Sequence, residues 1–178
     1  NGVDLTQFKR WYSQAGTPRL EVSEAYDATA QTYSLTFRQS CPATPDKVEK
    51  LPFVIPVALG LLDAEGNDLP LRLVGEAQAV GGSRVLSVTE AEQTFTFEGI
   101  KAKPLPSLLR GFSAPVKLSF PYDRDQLMFL MQHDEDGFNR WEAGQQLSVQ
   151  VLQELIGQHQ RGEKLVLDER LISAFRTL

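Results

Sequence analysis

At 178 residues, 42% of them hydrophobic and both charge signs dispersed, the sequence is long enough to bury one sizeable core and too apolar for a disordered segment. A formal net charge of -5 without any Lys/Arg cluster excludes a phosphate-binding surface, so nucleic acid is not an expected partner. No apolar run approaches the roughly 20 residues that span a bilayer, no secretory leader opens the chain, and the single Cys41 allows no intrachain disulfide; these features point to a soluble, cytoplasmic protein without a membrane partner.

The first segment reads as a helix. Asp4 is placed to cap it with Gln7 three residues on, Val3 to staple onto Phe8, and Leu5, Phe8, Trp11 and Tyr12 share one face. Gly16, Thr17 and Pro18 end it, and over residues 19–120 the pattern changes to short alternating runs separated by turn signals. Leu20 and Val22 open this region. Tyr33, Leu35 and Phe37, then Phe95 and Phe97, alternate with polar residues, as strands with one buried face require. Residues 53–62 are apolar on both faces and predict a central strand in which Pro56 marks an unpaired position or a bulge. A turn over 63–68, a strand over 69–74, a turn at Gly81 and Gly82, a strand over 84–89 and a last one through Val116, Leu118 and Phe120 complete the series. Seven or eight such strands predict an immunoglobulin- or fibronectin-like antiparallel β-sandwich, with a small barrel as the alternative.

After Pro121 the helical period returns. Asp123 caps a helix carrying Leu127, Leu130 and Met131 on one face, with Gln126 completing a capping box. Phe138 and Trp141 begin a longer amphipathic helix that ends near Gly162. A last one starts at Asp168 and carries Leu171, Ile172, Phe175 and Leu178 without a C-cap, which reads as an internal piece of a larger helical domain. The fold class is thus mainly β with flanking α segments.

Chemistry-bearing motifs are missing. His133 and His159 do not form the i, i+4 pair of a helical zinc site. The run His133, Asp134, Glu135, Asp136 reads as a solvated inter-helix turn with a capping Asp, and His159 as a helix-end residue. Asp63, Glu65 and Asn67 begin like a calcium loop, but the glycine falls in the fourth place and no glutamate stands at the twelfth. Cys41 and Ser107 lack the surroundings of known nucleophiles, and no glycine pattern fits a phosphate loop. Phe37, Phe53, Phe95, Phe97, Phe112 and Phe120 read as sandwich core. No catalytic, cofactor-binding or metal-ligating residue is therefore predicted.

Five stretches together resemble the bacterial aminopeptidase N (alanyl aminopeptidase) family: DLTQFKRWYSQAGTPRLEV at 4–22, PATPDKVEKLPFVIPVALGLLDAEG at 42–66, LSVTEAEQTFTFEGI at 86–100, FSAPVKLSF at 112–120 and LMFLMQHDEDGFNRWEAGQQL at 127–147. The resemblance implies that 1–16 is a helix from the end of a catalytic domain, 17–121 an immunoglobulin-like domain, and 122–178 the first helices of a carboxy-terminal helical domain. It further implies a parent enzyme that uses zinc to remove amino-terminal residues from peptides. The family's H-E-x-x-H and G-A-M-E-N stretches have no counterpart here, so the zinc and the peptide substrates would belong to the parent, and this piece would position its neighbouring domains. A free-standing immunoglobulin-like binding module is the alternative.

Overall fold

A computed structural model describes residues 2, 4–45, 49–168 and 170–172. Among the described residues seven strands form two sheets: β1 (Arg19–Asp27), β2 (Thr32–Ser40), β5 (Glu92–Glu98) and β7 (Lys117–Ser119) in the order β5-β2-β1-β7, and β3 (Ile55–Leu62), β4 (Arg84–Val88) and β6 (Leu105–Leu108) in the order β4-β3-β6. The long strands are antiparallel, with Val22 opposite Phe37 and Leu35 opposite Phe95. Period-two burial follows from the pleat: Leu20, Val22, Tyr33, Leu35 and Phe37 face Ile55, Val57, Leu59, Leu61 and Leu86 across the sandwich, all within 5% of complete burial.

The central strand reads as expected. β3 is buried on both faces toward its end, and Pro56 is tolerated because its missing donor lies on the edge that β6 does not reach. Ala58, two residues on and facing the same way, gives its N–H to Ser113 Oγ (2.9 Å) rather than to β4.

Four expectations change. Residues 4–14 form turns ending in one helical turn, α1 (Arg10–Ser13), because Gln7, Arg10, Trp11 and Gln14 donate to backbone carbonyls of 51–54 and 89 instead of lying on a free helix. Asp4 Oδ1 accepts from Thr6 N–H as in a turn; the Val3 staple lies outside the described residues. The segment 69–74 is no regular strand, since Pro70 interrupts it and its bonds divide between two partners, Leu71 with Val80 and Leu73 with Phe97. β7 pairs with β1 in parallel, Leu20 beside Leu118. Phe112 is 53% exposed, in the left-handed region at φ 53°, and stacks on Phe138 rather than entering the core.

Two helices follow, α2 (Arg124–His133) and α3 (Gly137–Gln160). Asp123 accepts from Gln126 N–H (2.8 Å) while Gln126 Oε1 accepts from Asp123 N–H (3.0 Å), completing the capping box. Asp123→Ala is expected to cost about 1 kcal/mol, read as a lower urea midpoint with an unchanged slope. Leu127, Leu130, Met131, Ala143 and Leu147 form a second core, into which the sandwich inserts Leu62 and Leu105. Leu171 packs on this core; Phe175 and Leu178 lie outside the described residues. Among the described residues no helix is long and apolar enough to cross a membrane.

Candidate functional site

The most highly organised polar group sits where sandwich and helices meet. Leu109 (φ 58°) and Gly111 (φ 61°) adopt left-handed backbone around Arg110, turning its side chain inward beneath β3. Its guanidinium forks onto Asp68, Nη1 to Oδ2 at 2.6 Å and Nη2 to Oδ1 at 2.7 Å, while Nε donates to Ser107 Oγ at 2.8 Å. These bonds stay within the sandwich. Four further contacts cross to the helical segment: Arg110 Nη2 to Asp134 Oδ1 at 3.2 Å, Gly111 N–H to Asp136 Oδ2 at 2.9 Å, and Asn139 Nδ2 to Ser107 Oγ at 2.7 Å and to the Leu108 carbonyl at 3.0 Å. Asp136 also caps α3 through Asn139 N–H (2.9 Å), so the start of α3 and the sandwich corner share one carboxylate.

Room for the fork comes from two glycines. A β-carbon on Gly60 would stand 2.3 Å from Arg110 Cζ, and one on Gly82 2.4 Å from Asp68 Cβ. At Gly66 (φ 89°) a β-carbon would meet His133 Cβ at 2.6 Å, so the 63–68 turn presses directly against the end of α2.

Burial of the Arg110 guanidinium works to lower its pKa, but hydrogen bonding to Asp68 and the fields of Asp134, Asp68 and Asp136 outweigh it and raise the value. Asp68 and Asp134 are 12% and 0% exposed at the side chain, so one cation faces two buried carboxylates, and Asp134 Oδ2 has no hydrogen-bond partner. Burial first, and then Asp134, push the Tyr122 phenol up; it stays protonated and donates to the Pro106 carbonyl (2.7 Å) beside this corner.

The residues weighed for chemistry fall elsewhere. His133 is exposed and stacks on Phe129 (centroids 4.5 Å apart), and His159 is exposed in the last turn of α3. The acidic run is not the solvated turn that its composition predicts: Glu135 faces solvent, Asp134 is buried against Arg110, and Asp136 points to a backbone amide. Ser107 is fully buried and accepts from Arg110 and Asn139, with no base beside it. Asp63 Oδ1 accepts from the Glu65 and Asn67 amides as a turn does, and Cys41 Sγ lies 3.7 Å from the Ala15 carbonyl. Two clefts of about 310 and 320 Å³ flank the junction, and neither is lined by a hydroxyl, thiol or imidazole. Among the described residues no three His, Cys, Asp or Glu side chains come together as a metal site; the residues here do not fit a zinc ion.

Arg110 escaped sequence reasoning because its partners lie 42 and 24 positions away. The available signal was a lone arginine between Leu109 and Gly111 in an otherwise apolar run, together with a glycine in the middle of the most apolar strand.

The opposite end of the sandwich carries a second attachment. Gln7 Nε2 donates to the Thr89 carbonyl (2.7 Å), Trp11 Nε1 to Val54 (2.9 Å), and Gln14 exchanges two bonds with the Leu51 backbone (2.7 and 2.9 Å); Trp11 also packs on Phe53. Toward the other end of β4, the irregular 71–80 loop is held by Glu76, which accepts from Arg84 Nη1 and Nη2 (2.8 Å each) and from Leu73 N–H (2.9 Å). The Arg84 bonds, then the Leu73 amide, hold the Glu76 carboxyl at about 2. Because this value lies below the ordinary one of 4.5, the loop's ionic tie is complete above about pH 4.5 and is lost as pH falls through about 2. A side-chain carboxyl NMR titration is expected to give that midpoint, and Arg84→Met to move it most of the way back.

Fold and junction define an immunoglobulin-like sandwich locked to a helical segment. Two family models match in register with this division: a domain of unknown function with an Ig-like fold, DUF3458, over residues 16–121, and DUF3458_C, described as ARM repeats, over 124–178. The chain is 43% identical over 178 residues to aminopeptidase N of Escherichia coli and 44% identical over 174 residues to that of Haemophilus influenzae, covering 100% and 98% of this chain. A solved structure, Legionella pneumophila aminopeptidase A in complex with aspartic acid, superposes with a TM-score of 0.72 at 30% identity over 98% of this chain. The chain spans 20% of the length of the two curated relatives and 18% of the solved chain. It belongs to the DUF3458 family and is homologous to an internal region of bacterial aminopeptidase N.

Proposed function

We propose that this chain is the non-catalytic coupling region of a zinc-dependent aminopeptidase that removes amino-terminal residues from peptides. In this reading residues 1–16 continue from the catalytic domain, 17–121 form the coupling sandwich, and 122–178 begin the carboxy-terminal helical domain. The partners are those two domains of the same polypeptide. Zinc and peptide are held by residues outside this chain, and the compartment is the cytoplasm, in keeping with the lone cysteine.

The observation that carries the reading is attachment at both ends of one strand. The 4–14 segment is buttoned to the residues leading into β3, and the other end of β3 supplies Gly60 beneath Arg110 and Leu62 to the helical core. Exposed apolar faces favour a coupler over a free-standing module: Leu5, Phe8 and Tyr12 at one end, and Trp141, Leu152 and Ile156 along α3 at the other, are each at least 43% exposed. The test is an aminoacyl-substrate assay with zinc determination on this chain beside a full-length relative. Turnover and one zinc per chain are expected only in the full-length protein; chelator-resistant turnover by the isolated chain would overturn the proposal.

A further inference from the structure

We propose that the Arg110 corner sets the orientation of the helical segment, while the apolar cluster around Leu62 sets only its attachment. The two kinds of contact differ in directionality. Leu62 and Leu105 enter the helical core through non-directional burial, which tolerates small rotations of α2 and α3 against the sandwich. The crossing hydrogen bonds fix atoms in direction as well as distance, Gly111 N–H to Asp136 and Asn139 to Ser107 and Leu108, and Arg110 adds an ion pair to the buried Asp134 carboxylate at 3.2 Å.

All of these gather at one corner, next to the turn joining α2 to α3. Further ties are Phe112 against Phe138, the Tyr122 hydroxyl on the Pro106 carbonyl, and the covalent connection through 121–123, one α2 length away, which for ten residues is about 15 Å. A helical pair held at both places has one orientation. Held only by the connection and the apolar cluster, it has many.

Within the corner the pairing is unequal. Arg110 grips Asp68 by two bonds of 2.6 and 2.7 Å but reaches Asp134 by one contact of 3.2 Å, and Asp134 keeps a buried oxygen without a partner. Arg110 is therefore anchored in the sandwich, and Asp134 is the side chain that reads its position. Asp134 and Arg110 are positioning residues. Their consequence for peptide access rests on the coupler reading, whereas their effect on orientation does not.

The test uses the 178-residue chain with Cys41→Ser and nitroxide labels at Glu21→Cys on β1 and Gln153→Cys on α3, both exposed positions. Pulsed electron resonance is expected to give one narrow distance distribution. Asp134→Asn, which leaves the Arg110 cation compensated by the Asp68 fork, is expected to broaden it at least about twofold with a smaller loss of melting temperature than Leu62→Ala causes. Leu62→Ala is expected to do the reverse, lowering the melting temperature and keeping the distribution narrow. Arg110→Lys broadens it as Asp134→Asn does, because an ammonium lacks the fork. A distribution as narrow in Asp134→Asn as in the parent chain overturns the proposal, and so does equal broadening by Leu62→Ala. Broadening with an unaltered peptide-length profile in the full-length enzyme would instead count against the coupler reading.

Discussion

Arg110→Met is expected to destabilise the chain by about 3–5 kcal/mol, the range for breaking a buried ion pair by removing one partner. The mechanism is uncompensated charge. Methionine fills most of the volume, so little cavity forms, but Asp68 and Asp134 remain in a site where their side chains are 12% and 0% exposed. Ser107 Oγ loses one of its two donors, and Asp134, already holding one unpartnered oxygen, loses its cation. Equilibrium urea unfolding of the variant checks the magnitude. A loss under about 1 kcal/mol would mean that the pair is solvated and behaves as a surface salt bridge.

Gly60→Ala is the second large effect, and its size depends on the first. In the parent chain the new methyl group overlaps the guanidinium at 2.3–2.5 Å, and Arg110 cannot yield without surrendering Asp68, so overpacking of about 1–3 kcal/mol is expected. In the Arg110→Met background the guanidinium is gone and the same substitution is expected to cost well under about 1 kcal/mol. A double-mutant cycle therefore gives a large interaction term. Additive effects would place the strain in the strand backbone and not in the clash with Arg110.

These two residues also mark where sequence reading reached its limit. Local signals were legible: the capping box of Asp123 and Gln126, the period-two burial of Tyr33, Leu35 and Phe37, and the apolar face of α2 appear as patterned, because each is decided by residues a few positions apart. Where bonds reach across the fold, local pattern failed. The 4–14 segment had helical spacing, yet Gln7, Trp11 and Gln14 bind carbonyls 37 to 82 positions away and the helix shrinks to one turn. Residues 69–74 alternate as a strand does, yet Pro70 and two competing partners leave only isolated bridges. The acidic run at 134–136 looked solvated because nothing within ten positions announces the buried arginine that Asp134 meets. Likeness to aminopeptidase N was legible earlier than any of these, since it rests on long phrases of sequence and not on one contact.

The proposed coupling role requires this region to orient its neighbouring domains without taking part in the chemistry. The decisive measurement on the proposed full-length enzyme carrying Asp134→Asn compares kcat/KM for a single aminoacyl reporter with that for peptides of increasing length. The reporter value is predicted to hold while the length profile shifts, because the catalytic groups are intact and only the orientation of the helical domain has loosened. Loss of reporter turnover in proportion to peptide turnover, with the protein folded and its zinc content unchanged, would contradict the account by placing this corner in the catalytic machinery.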